Sequence, residues 1–150
     1  MTTEQAAALI SQHFSGAQAG GSSPLVVTLP ADQWLAFGRF AKETLGCRFF
    51  AFSTAVDWKE QGLEVVAKVD NLDDNVSLVL KTRLGPGVTA CSSLTPVYRG
   101  ANWMERECFD MFGIRFENHP DLRRILLEDT WEGYPLLKSY AVDTPHPPYR

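Results

Sequence analysis

Leu63-Glu64-Val65-Val66-Ala67-Lys68-Val69-Asp70, then Asn71-Leu72-Asp73-Asp74-Asn75, then Val76-Ser77-Leu78-Val79-Leu80-Lys81, is the stretch that decides the fold class. Apolar residues at 63, 65, 67 and 69 alternate with Glu64 and Lys68, and those at 76, 78 and 80 alternate with Ser77 and Lys81. A period of two sends successive side chains to opposite faces of a strand. One buried face and one wet face is the usual signature of antiparallel pairing. The Asn- and Asp-rich stretch between the two runs is turn chemistry, so a hairpin is predicted. Upstream, Arg48–Trp58 predicts a third strand, with Phe50, Phe52, Thr54 and Val56 on one face.

Further upstream, Pro24–Leu29 is a β-rich run closed by Pro30, and residues 31–45 predict a helix. Asp32 is its candidate cap, Trp34, Leu35, Phe37, Phe40, Ala41 and Leu45 recur near a 3.6 period, and Gly46 is its natural stop. Ala6, Leu9, Ile10 and Phe14 predict a short helix over 4–14, joined by a Gly/Ser/Ala linker at 16–23. Downstream, Gly85-Pro86-Gly87 predicts a loop, and Thr95-Pro96 pairs an N-cap residue with proline at a first helical position. Asn102-Trp103-Met104-Glu105 has the form of a capping box opening a helix that runs to Phe112 and stops at Gly113. The order predicts an α+β fold: a small mixed, largely antiparallel sheet with helices on one face. The expected division is an α+β domain over 1–113 and an extended C-terminal arm over 114–150.

The bulk numbers narrow the functional classes. A chain of 150 residues, 45% hydrophobic and 21% charged, can bury a core without a covalent staple. A net charge of −4 speaks against a nucleic-acid surface. Arg115, Arg123, Arg124, Lys138 and Arg150 nevertheless make the C-terminal region locally basic, which suits an acidic partner. No apolar run approaches the ~20 residues that span a bilayer, and no basic leader precedes one, so a cytoplasmic chain reaching the membrane only through a partner is expected. Cys47, Cys91 and Cys108 are odd in number and widely spaced, with no Cys-x-x-Cys pair, which speaks against disulfides, structural zinc and iron–sulfur ligation. Neither a Gly-x-Gly-x-x-Gly nor a Gly-Lys-Ser/Thr phosphate loop is present.

The arm carries Pro120, Pro135, Pro145, Pro147 and Pro148 together with Phe116, Trp131, Tyr134, Tyr140 and Tyr149. Proline blocks long helices and central strands. The composition predicts a strap lying across another surface; packing back on its own domain is the alternative it leaves open. On a helical wheel for Trp103–Phe112, Met104, Cys108, Met111 and Phe112 share one broad face, and Arg106, Glu107 and Asp110 fall opposite. Glu105 lands on the apolar side, where an ionised carboxylate is costly unless paired. His119-Pro120-Asp121-Leu122-Arg123-Arg124 is the nearest arginine-rich segment to pair it. Two roles for Glu105 follow: a buried ion pair fixing how the arm leaves the helix, or a general acid/base with a raised pKa. His13, His119 and His146 are scattered, so His119 reads as a hydrogen-bonded turn residue, and the four tryptophans, Trp103 and Trp131 among them, read as core or interface anchors.

Glu105-Arg106-Glu107-Cys108-Phe109-Asp110-Met111-Phe112-Gly113-Ile114 resembles the signature of the 30 kDa (C) subunit family of respiratory complex I. The resemblance continues through His119-Pro120-Asp121-Leu122-Arg123-Arg124-Ile125-Leu126 and Trp131-Glu132-Gly133. It departs at Gly133-Tyr134-Pro135-Leu136-Leu137-Lys138-Ser139-Tyr140, where the family usually has Arg in place of Leu137 and Asp in place of Ser139. The resemblance implies a cofactor-free subunit of the hydrophilic arm of NADH:quinone oxidoreductase, peripheral on the cytoplasmic side of the membrane. NADH, flavin, iron–sulfur clusters and quinone are then held by neighbouring subunits. The implied partners are chiefly the quinone-site (49 kDa) subunit and the adjacent cluster-bearing subunit. Trp103, Glu105, Arg106, Glu107, Asp110, His119, Asp121, Arg123, Arg124, Trp131 and Lys138 become interface or arm-anchoring residues, with no catalytic centre in the chain. The same module in a membrane-bound energy-converting hydrogenase or an F420H2 dehydrogenase, and a stand-alone acid/base enzyme using Glu105, are the competing expectations.

Overall fold

The computed structural model describes residues 1–143 and Pro145; Thr144, His146, Pro147, Pro148, Tyr149 and Arg150 of the expected arm lie outside the described residues. Five strands form one sheet in the order β1 (Gln18–Gly20), β2 (Leu25–Leu29), β5 (Val76–Gly85), β4 (Leu63–Asn71), β3 (Phe49–Asp57). Only β2 and β5 run parallel, so the sheet is mixed and largely antiparallel as expected. The predicted hairpin is β4–β5, and its turn is tied by Asn71 Oδ1, which accepts the amides of Asp73 and Asp74 at 3.1 Å each. Part of the stretch expected to be a flexible linker is instead strand β1, paired antiparallel to β2.

Helices α1 (Thr3–His13), α2 (Trp34–Glu43) and α3 (Ala101–Phe112) complete the architecture. A capping box starts α1: Thr2 Oγ1 accepts from Gln5 N at 3.2 Å and Gln5 Oε1 from Thr2 N at 2.8 Å. The helix expected from 31 to 45 begins with a 3-10 turn, Ala31–Gln33, and Asp32 caps nothing. It ends by Gly46, whose φ of +69° lets Cys47 N reach back to Ala41 O at 2.8 Å. Ile10 of α1 and Trp34, Phe37 and Ala41 of α2 join Leu25, Val27, Val65, Ala67, Val69, Leu78 and Leu80 in the core. Burial of each such large side chain is worth about 2–3 kcal/mol.

Strand β3 departs from its expected facing. The register slips between Phe50 and Phe52, a β-bulge that adds one residue and reverses which side chains face inward. Ser53 and Ala55 are therefore buried, while Phe52 and Thr54 are exposed. The opposite face of β4 is drier than its alternation implied. Glu64 is buried because its carboxylate pairs with Arg83 Nε at 2.7 Å across the strands, and the Arg83 guanidinium lies over the Trp58 ring at 4.4 Å.

A second, two-stranded parallel sheet joins β6 (Ala90–Ser92) to β7 (Arg115–Glu117). Ile114 and Phe116 are in the core, so the packed body runs through β7, past Gly113. Residues 118–143 contain no further helix or strand. They lie back over α3 and the end of β3, with Leu122 and Leu137 packed against the core. The strap expected to lie across another surface thus packs, over its described length, on its own domain.

Candidate functional site

Helix α3 organises the region. No side chain caps its start at Gly100, so the expected Asn102–Glu105 capping box does not form. Glu105 is needed elsewhere. Its side chain is 1% exposed, Oε1 accepts from Leu94 N at 2.6 Å and Oε2 from Ser93 Oγ at 2.7 Å. Ser93 Oγ in turn meets Thr95 Oγ1 at 2.7 Å. The predicted arginine does not reach Glu105. Burial with no cation beside it pushes the Glu105 carboxyl up to about 7, against the lowering effect of Ser93 and Leu94. The pair ties the 93–98 turn to α3; Thr95-Pro96 belongs to that turn and starts no helix. The Cys91 and Cys108 thiols are pushed up to about 12, chiefly by burial and also by Glu105, which leaves them protonated and unreactive.

The arginine that sequence reasoning assigned to Glu105 grips Asp110 instead. Asp110 is fully buried, and Arg124 Nη1 donates to its Oδ1 at 2.7 Å. Its Oδ2 accepts three consecutive strap amides, Ile125, Leu126 and Leu127, at 3.2, 2.7 and 2.9 Å. Burial alone works to raise the Asp110 pKa, but Arg124 and the three amides outweigh it and hold the carboxyl below its ordinary range. Arg124 also donates to the carbonyls of Trp131 and Gly133, each at 2.9 Å, and its guanidinium lies 5.1 Å from the Tyr134 ring centroid. Arg106 donates to the carbonyls of Arg123 and Arg124 at 3.1 and 2.9 Å. The wheel placed Arg106 and Asp110 on the face away from the core; both are buried because the strap covers that face.

The remaining predicted residues divide by exposure. His119 is a turn residue as expected: Nε2 donates to Asn102 O at 2.9 Å and Nδ1 accepts from Asp121 N at 3.0 Å, which assigns the proton to Nε2. Asp121 and Arg123 form an exposed ion pair of 2.9 Å. Lys138 contributes its backbone amide to Asp57 Oδ2 at 2.8 Å. Gly113 ends α3 at φ +75°, and a Cβ there would lie 2.8 Å from the Tyr134 ring, so both the turn and the strap's approach require glycine. Trp131 is half-buried, Glu107 is exposed, and Trp103 stands out from α3 at 71% exposure. Leu126 and Leu136 are exposed on the strap. No group of three or more His, Cys, Asp or Glu side chains is placed to hold a metal among the described residues.

Residues 27–146 match the family model for the respiratory-chain NADH dehydrogenase 30 kDa subunit, and that span contains all of α3 and its clamp. The chain belongs to this family. The C subunit of NADH-quinone oxidoreductase from Trichlorobacter lovleyi is 37% identical over 131 residues, covering 83% of this chain and 80% of that protein. Its counterpart from Rhodobacter capsulatus is 41% identical over 120 residues, 77% of this chain and 60% of that one. Among solved structures, the trypsin-resistant fragment (1–134) of Nqo5 superimposes with a TM-score of 0.69 at 24% identity, covering 81% of this chain and 100% of the fragment, a likeness of fold. A chain of the membrane-bound sulfane sulfur reductase, an archaeal respiratory membrane complex, superimposes with a TM-score of 0.81 at 25% identity, covering 93% of this chain and 85% of that one. Within this 30 kDa family member, sequence reasoning missed Ser93 and Leu94, the partners of Glu105. Their only signal was the turn-forming run Ser92-Ser93-Leu94-Thr95-Pro96.

Proposed function

We propose that this 30 kDa family member is a cofactor-free piece of the hydrophilic arm of NADH:quinone oxidoreductase, docking on the quinone-site subunit through α3 and its strap. One observation carries this. Arg106, Asp110 and Arg124 are all turned inward to lock the strap, while Trp103, Leu126 and Leu136 project from the locked assembly. A fixed surface bearing exposed aromatic and aliphatic anchors is what a docking face needs. In this role the chain supports electron transfer from NADH to quinone, coupled to proton translocation, by holding its neighbours in place. Flavin, clusters and quinone belong to those neighbours, and the adjacent cluster-bearing subunit is the second contact. The chain sits peripherally on the cytoplasmic side; no described helix is long and apolar enough to cross a membrane. The test is recovery of partner subunits with the tagged chain from detergent-solubilised membranes. Trp103→Asp with Leu126→Asp should abolish recovery while the isolated chain melts unchanged; full recovery would refute the docking face.

The likeness to the archaeal sulfur reductase chain supports a second reading, the same module in a related membrane-bound respiratory machine. The proteins recovered in the same experiment decide between the two. An acid/base enzyme built on Glu105 is disfavoured by the site itself, since both carboxylate oxygens are occupied by the chain's own donors.

A further inference from the structure

A second surface, away from the strap, has its own charge and shape. Between the end of α2, the start of β3 and the 95–100 turn lies an open cleft of about 470 Å³. Lys42, Arg48 and Arg99 line it together with Phe49, Phe50 and Tyr98, and no carboxylate does. That is unexpected in a chain of net charge −4. The Arg48 and Arg99 guanidinium groups are exposed and have no ion-pair or hydrogen-bond partner among the described residues. Phe49 is 50% exposed beside Arg48. Asp70 and Asp73 line a neighbouring hollow that shares Arg48 and Phe49 with the cleft; neither is within ion-pair distance of Arg48, and Asp70 is already engaged by Lys68 and Ser77.

The floor of the cleft is preformed. Tyr98 donates its hydroxyl to Cys47 O at 2.8 Å, and its ring lies 5.2 Å from that of Phe50. Lys42 Nζ donates to Val97 O at 2.6 Å and sits 5.4 Å from the Tyr98 ring centroid. A fixed floor lowers the ordering cost of binding. A compact anion site needs several donors converging on one point, whereas these arginines are exposed on the rim of an open cleft that aromatic side chains also line. That layout suits an extended chain whose carboxylates meet the rim and whose apolar side chains rest on the rings.

We propose that this cleft receives an extended acidic segment of a neighbouring subunit, its carboxylates on Arg48 and Arg99 and an apolar side chain against Phe49. The proposal rests on the docking role argued above and adds a second, electrostatic contact to it. The test places a photo-reactive benzophenone amino acid at Phe49 in the chain expressed in cells, and in a parallel strain at Leu126 on the strap. Membranes are irradiated and the cross-linked peptides identified by mass spectrometry. Capture at Phe49 of a peptide rich in Asp and Glu is the expected result. Its yield should fall about tenfold in the Arg48→Glu, Arg99→Glu double variant, since two reversed rim charges oppose the same carboxylates. Capture of lipid, capture of a segment without acidic residues, an unchanged yield in the double variant, or no capture at all would each overturn the proposal. If Leu126 still captures a subunit in those cases, the cleft alone is refuted; if Leu126 also captures nothing, the docking role falls with it. The melting temperature of the double variant, expected to be unchanged because both arginines are exposed, separates lost contact from lost folding.

Discussion

Replacing Glu105 by Gln should remove a pH dependence of stability that the wild-type chain carries between about pH 4.5 and 7. Burial lifts the folded-state carboxyl from 4.5 to about 7 while the unfolded chain keeps the ordinary value. In that window the folded state binds more protons than the unfolded one, so stability falls as pH rises. The proton-linked stabilisation is fully present below pH 4.5 and is gone above 7. At 1.36 kcal/mol for each unit between the two values, the loss is about 3 kcal/mol. Gln retains the shape and an acceptor for the Leu94 amide. Its Nε2 can donate to Ser93 Oγ, provided the Ser93–Thr95 hydroxyl pair reverses its direction, which that geometry allows. Denaturant unfolding of both proteins at closely spaced pH values from 4.5 to 8 isolates the effect, because every other titrating group is common to the two. The wild-type curve should drop relative to the Gln curve by about 3 kcal/mol across the window. A flat difference between the curves would refute a buried, uncompensated Glu105.

Other outcomes follow from the same geometry. Asp110→Asn should destabilise the clamp by about 3 kcal/mol or more, because it leaves Arg124 in a half-buried site without its counter-charge; faster hydrogen exchange at the Ile125–Leu127 amides is the readout. The Asp110 carboxyl is held below its ordinary range, so the clamp's contribution is present above that range and is lost only as pH falls through the lowered value. Its pH effect thus has the opposite sign to that of Glu105 and lies at the acid end. Gly113→Ala should cost over ~1 kcal/mol and displace Tyr134, measured as a lower melting temperature and earlier proteolysis of the strap. Thr82→Val should stabilise by about 1 kcal/mol, since Thr82 is fully buried and its hydroxyl lacks a partner among the described residues.

The sheet was legible because β4 and β5 each have a face whose alternation is unbroken: residues 63, 65, 67 and 69, and residues 76, 78 and 80, are buried as their spacing implies. Strand β3 was misassigned because its pattern was counted straight through Phe50-Ala51-Phe52, and a bulge has no signature in a period-of-two count. The wheel over α3 assumed that the helix is covered on one side. Arg106 and Asp110 looked solvent-facing for that reason, although the strap that buries them begins only a few residues later. The strap itself was recognisable by its prolines, but not where it lies, because contacts between an irregular segment and a helix follow no period. Nor does a wheel show which donors serve a buried carboxylate, and the search for a counter-charge favoured Arg123 and Arg124 over the turn at 93–95, which is nearer in sequence.

Two carboxylates five residues apart on α3 are treated in opposite ways, and the contrast explains how the helix works. Asp110 has a guanidinium and three amides, which keep it charged, so the strap is held by a charged clamp wherever carboxylates are ionised. Glu105 has one amide, one hydroxyl and no cation, too few to offset its burial, so its charged form is the costly one although both donors favour it. The strap clamp therefore resists pH change through the neutral range, while the folded body that carries the 93–98 turn loses stability as Glu105 ionises. Both surfaces are braced from within, the strap face by the Asp110–Arg124 clamp and the cleft by the Tyr98 and Lys42 bonds to the backbone. A carboxylate-bearing segment seated on Arg99 would brace from outside the same turn that Glu105 ties to α3 from within.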